Sequence, residues 1–309
     1  MAKHRQKSVE LGFGKAEAKQ QRFMNRNGTY NYVRDGLQFS DRFNVYHHFI
    51  NLSWGRFFAF IFAWYTLVNL LFTGLYYLSG GECLTGMMIG DKWVKFCEIY
   101  FFSAQTLTTV GYGRINPTCF SANFIASFEA LAGLMSFALI TGLLYGRFSK
   151  PRPKIRFTDK ALIAPYQEGT AFMFRVANML ESNMMNTLAQ ISLSITEDGT
   201  RNFYRLTVER EKIMFFPSSW TIVHPIDENS PLYGLTEEAF KTARPEFLIL
   251  IQGFDDTFDQ TIHARASYTE EDVVWGAKFV KIGGLTPNGR PTVDLSRLNH
   301  FDPVPLPTV

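Results

Sequence analysis

The chain has 309 residues, a net charge of +3, a mean hydropathy of -0.05 and 46% apolar side chains. So small a charge excess gives no electrostatic reason for a nucleic-acid partner. Three cysteines (Cys83, Cys97 and Cys119) with no CxxC pair and no Cys/His cluster exclude a zinc site of the usual spacing, and His224 and Asp227 stand together without a nucleophile motif. A near-neutral average that hides two intensely apolar stretches implies a membrane part joined to a soluble part.

Residues 1–40 are polar and basic and read as a flexible tail. The order, polar for some 50 residues before any apolar run, is wrong for a cleavable signal peptide. Residues 41–51 place Phe43, Tyr46, Phe49 and Ile50 at helical spacing, which predicts a short amphipathic helix on a membrane surface. Ser53 is a candidate cap for the next helix. Residues 57–78 run for 22 residues without a charge, or about 33 Å of helix against a hydrocarbon core of about 30 Å. A soluble helix of that length would carry a polar face. Residues 122–148 form a second candidate span, interrupted by Glu129 and then by Arg147, and carry Gly133 and Gly142. Ten Lys/Arg lie in residues 1–56 and five in 147–156, against three in 79–121. The positive-inside rule therefore puts both termini in the cytoplasm. Beyond Pro153, ISLSI (191–195), FYRLTV (203–208) and FLILI (247–251), with turn signals at Glu197-Asp198-Gly199 and Pro287-Asn288-Gly289, predict an all-β sandwich over 153–309.

Between the spans lies EIYFFSAQTLTTVGYGR, residues 98–114. Its first part suits a re-entrant helix (97–108), and its second ends in Thr108-Thr109-Val110-Gly111-Tyr112-Gly113. An ion leaving water needs oxygens in place of its hydration shell, and rings of backbone carbonyls supply them. Gly111 and Gly113 permit the positive φ that turns successive carbonyls to one side. The Thr109 hydroxyl adds another oxygen, and Tyr112 is expected to turn away and wedge against the pore helix. Irregular backbone at membrane depth must line a watery path or be buried in protein. One loop cannot enclose an ion, and four can. The pore domain thus covers 41–152, with the filter at 109–113.

The TTVGYG hexamer in its helix–loop–helix setting matches the potassium-channel signature. Ser53-Trp54, GRFSKPRPKIRF (146–157), FRVANM (174–179), SWTIVHPIDENSPLYG (219–234) and HARASYTEEDVVWGAKFV (263–280) resemble inward-rectifier potassium channels, particularly the bacterial ones, from about residue 45 to 303. The resemblance implies a homotetramer in the plasma membrane, the inner one in a bacterium. It implies potassium as the permeant ligand at Thr109, Val110, Gly111 and Tyr112, with no cofactor and no protein partner. The β-domain would be immunoglobulin-like and extend the pore. By the same resemblance Tyr145 is a gate at the bundle crossing, Gly133 is a hinge or a close-packing glycine, and the loop at 259–263 is a second constriction. Arg147, Lys150 and Arg152 match phosphoinositide-binding positions, and Arg56 joins them at the membrane face. This implies modulation by anionic lipids. Gln105 stands where many relatives carry a Glu that pairs with an Arg beyond the filter, so it supports the filter while leaving Arg114 without that partner. Phe137 lies near the pore-lining position of an acid in strong rectifiers, and Gln252 replaces another typical of the cytoplasmic pore, so block by magnesium or polyamines should be weak at those sites. Cys83 and Cys119 flank the loop where eukaryotic relatives have a disulfide. Their spacing differs, and free thiols stay equally open. Passive potassium conduction and a weakly selective cation pore both remain open as functions.

Overall fold

The computed structural model describes residues 22–32, 36, 45–80, 82–150, 154–179, 184–197, 199–216 and 218–307. The chain divides into two compact units, Asp35–Lys150 and a second made of Met1–Arg34 with Pro151–Val309.

The first unit is helical. Helix α1 spans Val45–Asn51, α2 Trp54–Leu78, α3 Lys92–Leu107 and α4 Phe120–Phe148. Residues 41–44, including Phe43, lie outside the described residues. Both long helices are apolar enough to cross a membrane, and only 17% and 11% of their most apolar windows are buried. That excludes the core helix of a soluble protein. α2 starts ahead of the expected residue 57, so Arg56 sits in its first turn. Ser53 occupies the cap position in extended backbone, but its hydroxyl makes no capping bond. α3 starts five residues before the expected 97, because Asp91 accepts the N–H of Val94 at 2.9 Å and ties down the first turn. Phe72, Tyr76, Ile99, Phe102, Ile115 and Ala122 form the packing centre of α2, α3 and α4.

The second unit is two five-stranded sheets facing each other. One consists of β4 (Met184–Glu197), β5 (Thr200–Leu206), β6 (Lys212–Phe216), β8 (Glu246–Asp255) and β9 (Gln260–Thr269). Its order is β9-β8-β4-β5, and β6 pairs with the first half of β4. The other consists of β1 (Ile155–Phe157), β2 (Ala161–Tyr166), β3 (Gly169–Asn178), β7 (Ser219–Ile226) and β10 (Val273–Trp275), with β10 parallel to β2. Strand periodicity explains the core. Ala189, Ile191, Leu193 and Ile195 of β4 alternate inward, as do Phe172, Phe174 and Val176 of β3. The rings of Phe172 and Phe247 stack between the sheets with centroids 3.9 Å apart. Ala171 and Met173 point the other way, into a second cluster with Ala277 and Phe279.

The tail expected over 1–40 is different where it is described. Residues 22–32 dock on the first sheet, where buried Glu246 accepts the N–H of Phe23 at 2.8 Å and of Met24 at 2.9 Å. Phe23 packs on Phe203, and Asp272 pairs with Arg22 and Arg26. The tail's backbone donors and two arginines add to the partners these carboxylates already have, Arg201 for Glu246 and Thr269 for Asp272. Residues 1–21 lie outside the described residues. The constriction expected at 259–263 is also placed differently: the turn is residues 256–259, and His263 already pairs with Gln252 inside the β8–β9 hairpin.

Candidate ion-conduction site

The segment between α3 and α4 has the backbone the chemistry asks for. Within 108–114, φ is positive at Thr109 (59°), Gly111 (53°) and Gly113 (81°), and not at Val110 or Tyr112. Alternation at every second residue turns successive carbonyls toward one side, which a strand of uniform φ cannot do. Two of the three positions are glycine, which holds such φ at no steric cost. Thr109 is a non-glycine in the same region, the kind of strained position that collects at functional sites. The segment hangs directly on the pore helix. The carbonyl of Gln105 accepts from Val110 N at 2.9 Å and Gly111 N at 3.3 Å, and Thr109 N donates to Thr106 O at 3.0 Å. The Thr108 hydroxyl donates to Ala104 O at 2.7 Å. Gln105 and Thr108 therefore lie where support of the segment was expected. Tyr112 does not wedge against the pore helix of its own chain. Its ring is 79% exposed.

Three features around residues 113–119 add to or correct the sequence reading. Arg114 has a partner: its guanidinium lies 2.7 Å from Glu98 Oε2 and donates to Oε1 at 2.8 Å. Glu98 precedes Gln105 by seven residues, two helical turns on the same face of α3, so the partner of Arg114 stands away from the position where it was sought. Asn116, which sequence reasoning missed, donates its amide to Gly113 O at 2.7 Å. Cys83 and Cys119 are joined in a disulfide with Cα atoms 5.1 Å apart. The antiparallel pairs Leu84–Pro117 and Thr85–Asn116 lie beside it. Free thiols at these two positions are thereby excluded.

The basic cluster divides. Arg147 was expected to meet lipid headgroups, yet it is 4% exposed. It donates to Phe49 O at 2.6 Å, Ile50 O at 3.2 Å and Leu52 O at 2.8 Å. Its guanidinium also lies 4.5 Å from the ring centroids of both Trp54 and Phe57. The end of α1 presents carbonyls with no helical partner and a negative dipole end, and Arg147 satisfies both. Lys150 donates to Asn51 Oδ1 and remains exposed, as does Arg56. Arg152 lies outside the described residues. On α4, Phe137 and Tyr145 are 71% and 75% exposed, about 12 Å apart along the axis. Gly133 faces α3, where an added Cβ would come 1.9 Å from Leu107 O. A close-packing role is built into that contact.

Two apolar helices bracketing a re-entrant helix and a carbonyl-turning loop, joined to a β-rich domain, define a pore-loop ion channel. Residues 155–309 match the family model for the inward rectifier potassium channel C-terminal domain, and 63–150 match that of the ion channel family. The chain is 33% identical over 293 residues to inward rectifier potassium channel Kirbac3.1 of Paramagnetospirillum magnetotacticum, covering 93% of this chain and 98% of that one. It is 26% identical over 320 residues to the human G protein-activated inward rectifier potassium channel 1, covering 94% of this chain and 62% of the human one. The chain belongs to the inward-rectifier potassium channel family, a family of transmembrane channels and not of enzymes, and its nearer likeness is to the bacterial type.

Proposed function

We propose that four copies of this chain surround one pore and conduct potassium passively through Thr109, Val110, Gly111, Tyr112 and Gly113. The alternating positive φ at 109, 111 and 113 carries this reading, because rings of like-facing carbonyls replace a hydration shell only when several chains share an axis. The exposed Tyr112 ring fits a wedge against a neighbouring copy. Both termini are cytoplasmic, the β-domain is immunoglobulin-like, and its four copies lengthen the pore. The α4 helices close the path at Tyr145 by sterics and dewetting. Phe137 and Gln252 put no ring of carboxylates at their own positions, so block by intracellular cations is weak at those sites. Anionic lipid modulates flux through Arg56, Lys150 and Arg152, each near-surface charge contributing about 1 kcal/mol. Arg147 is spent on α1 and takes no headgroup. The runner-up, a weakly selective cation pore, rests on a filter perturbed by Gln105 and Arg114; the Glu98–Arg114 ion pair supports the selective reading.

Radioactive rubidium uptake into liposomes holding the purified protein tests the proposal. Barium-sensitive uptake is expected, with a reversal potential that follows potassium against sodium. Gly111→Ala is expected to reduce uptake to the level of empty liposomes. A monomeric wild-type protein, or one that passes sodium as readily as potassium, would sink the reading.

A further inference from the structure

Glu129 is the one acid in α4 and is fully buried. Its carboxylate accepts from the Tyr76 hydroxyl of α2 at 2.7 Å and the Ser103 hydroxyl of α3 at 2.5 Å. Ser103 Oγ also lies 3.2 Å from Asn69 Oδ1 and 3.3 Å from Asn69 O, and the Asn69 amide donates to Tyr65 O at 2.8 Å. Among the described residues no cation pairs with Glu129. Withdrawing a carboxylate from water is expensive unless it is bonded, and an acid inside a span that is kept there is a functional candidate. Here its bonds gather three of the unit's four described helices, α2, α3 and α4, at one point.

A second contact lies in register with the first. Gly133 follows Glu129 by four residues, and Leu107 follows Ser103 by four. Gly133 is where a Cβ would strike the Leu107 carbonyl. One helical turn of α4 is thus fastened to one helical turn of α3, by a hydrogen bond at one end and by backbone contact at the other. Leu107 ends α3, and the next residues hang on its last carbonyls through Val110 N, Gly111 N and Thr109 N. A slide or rotation of α3 therefore moves the carbonyl rings with it.

We propose that Glu129 is a positioning residue for ion selectivity, acting through Ser103 to fix the height and rotation of the pore helix. The proposal rests on reading 109–113 as the filter, and its test separates the two. Wild-type protein is measured first: loss of potassium-over-sodium selectivity there counts against the filter reading itself. Glu129→Gln, Glu129→Ala and Ser103→Ala are then compared by reversal potential and barium block in liposomes, with elution profile and thermal midpoint followed alongside. The glutamine should stay within about twofold of wild type, since its carbonyl accepts from Tyr76 and its amide donates to Ser103, whose own proton turns to Asn69. Both alanine variants should lower the permeability ratio about tenfold or more, because a site held too loosely loses its geometry before its fold. Should Glu129→Ala fail to assemble, Ser103→Ala decides, since it removes a single hydroxyl. Variants that elute as wild type and keep its ratio would overturn the proposal, as would reduced flux at an unchanged ratio.

Discussion

In the β-domain the buried set is mostly apolar, with Phe172, Phe174, Ile191, Leu193 and Phe247 at its centre and polar groups such as Glu246 and Ser194 a minority. In the helical unit Asn69, Thr73, Ser103 and Glu129 are buried as deeply as Phe57, Tyr76, Ile99 and Ala122. Outside, the helical unit shows Phe62, Leu67 and Leu78 at 67–83% exposure. One rule yields both patterns: each unit hides what its surroundings cannot solvate. Water around the β-domain leaves apolar groups to be buried. Hydrocarbon around the helices gives no reward for burying a leucine and penalises an unpaired hydroxyl or amide.

The largest effect should separate the two units outright. Phe247→Ala empties the inter-sheet stack on Phe172 and should cost about 4 kcal/mol, the usual penalty for a buried phenylalanine. Phe62→Ala, at an exposed helix position, should cost less than about 0.5 kcal/mol in detergent or lipid. Denaturant titration of the full chain, followed by tryptophan fluorescence, measures both. Equal penalties would mean that the exposed helix faces are not solvated by lipid.

The polar interior of the helical unit gives the next effect. Arg147→Met keeps much of the side-chain bulk over Trp54 and Phe57 but strips donors from the carbonyls of Phe49, Ile50 and Leu52. Leaving such groups buried without a partner should cost about 3 kcal/mol. It should also raise hydrogen exchange along α1, with little change in the sheets. A variant that loses only its response to anionic lipid, with α1 protection intact, would return Arg147 to the headgroups.

The sequence reading fails at the long-range contacts among these residues. The two spans were legible because 22 residues without a charge have few other uses, and the TTVGYG segment was legible because glycine spacing is itself a backbone instruction. The β-domain was legible through alternation in 191–195 and 247–251. The start of α3 was not: Lys92 and Lys95 look like loop, and only the Asp91 cap marks the boundary. Arg147 was misread because a run of five basic residues does not say which one turns inward. Glu98 was missed as the partner of Arg114 because the expected acid was sought at 105, two turns away. Docking of residues 22–32 depends on Glu246 and Asp272, more than 200 residues distant, which no local pattern reports. Cys83 and Cys119 lie 36 residues apart, and spacing alone does not decide a bond.

The smallest effect concerns acid. His224 is 3% exposed and sits in β7 with one ring nitrogen 2.5 Å from Thr207 O and the other 2.8 Å from Ser230 Oγ. The carbonyl requires N–H at Nδ1, so Nε2 accepts from the serine. Burial pushes this imidazole below its ordinary 6.5, outweighing the upward pull of the Thr207 carbonyl and Asp227. The unfolded chain therefore takes up a proton at a higher pH than the folded one. Stability should stay level with respect to this group above pH 6.5 and fall as the pH drops below it, by about 1.4 kcal/mol per unit at the steepest. His224→Gln should flatten that part of the profile. In the helical unit the described histidines, His47 and His48, are exposed on α1. Hydrogen exchange at stepped pH should accordingly find protection lost around β7 before α2, α3 or α4. If the helices open first on acidification, His224 is not the group that sets the chain's stability in acid.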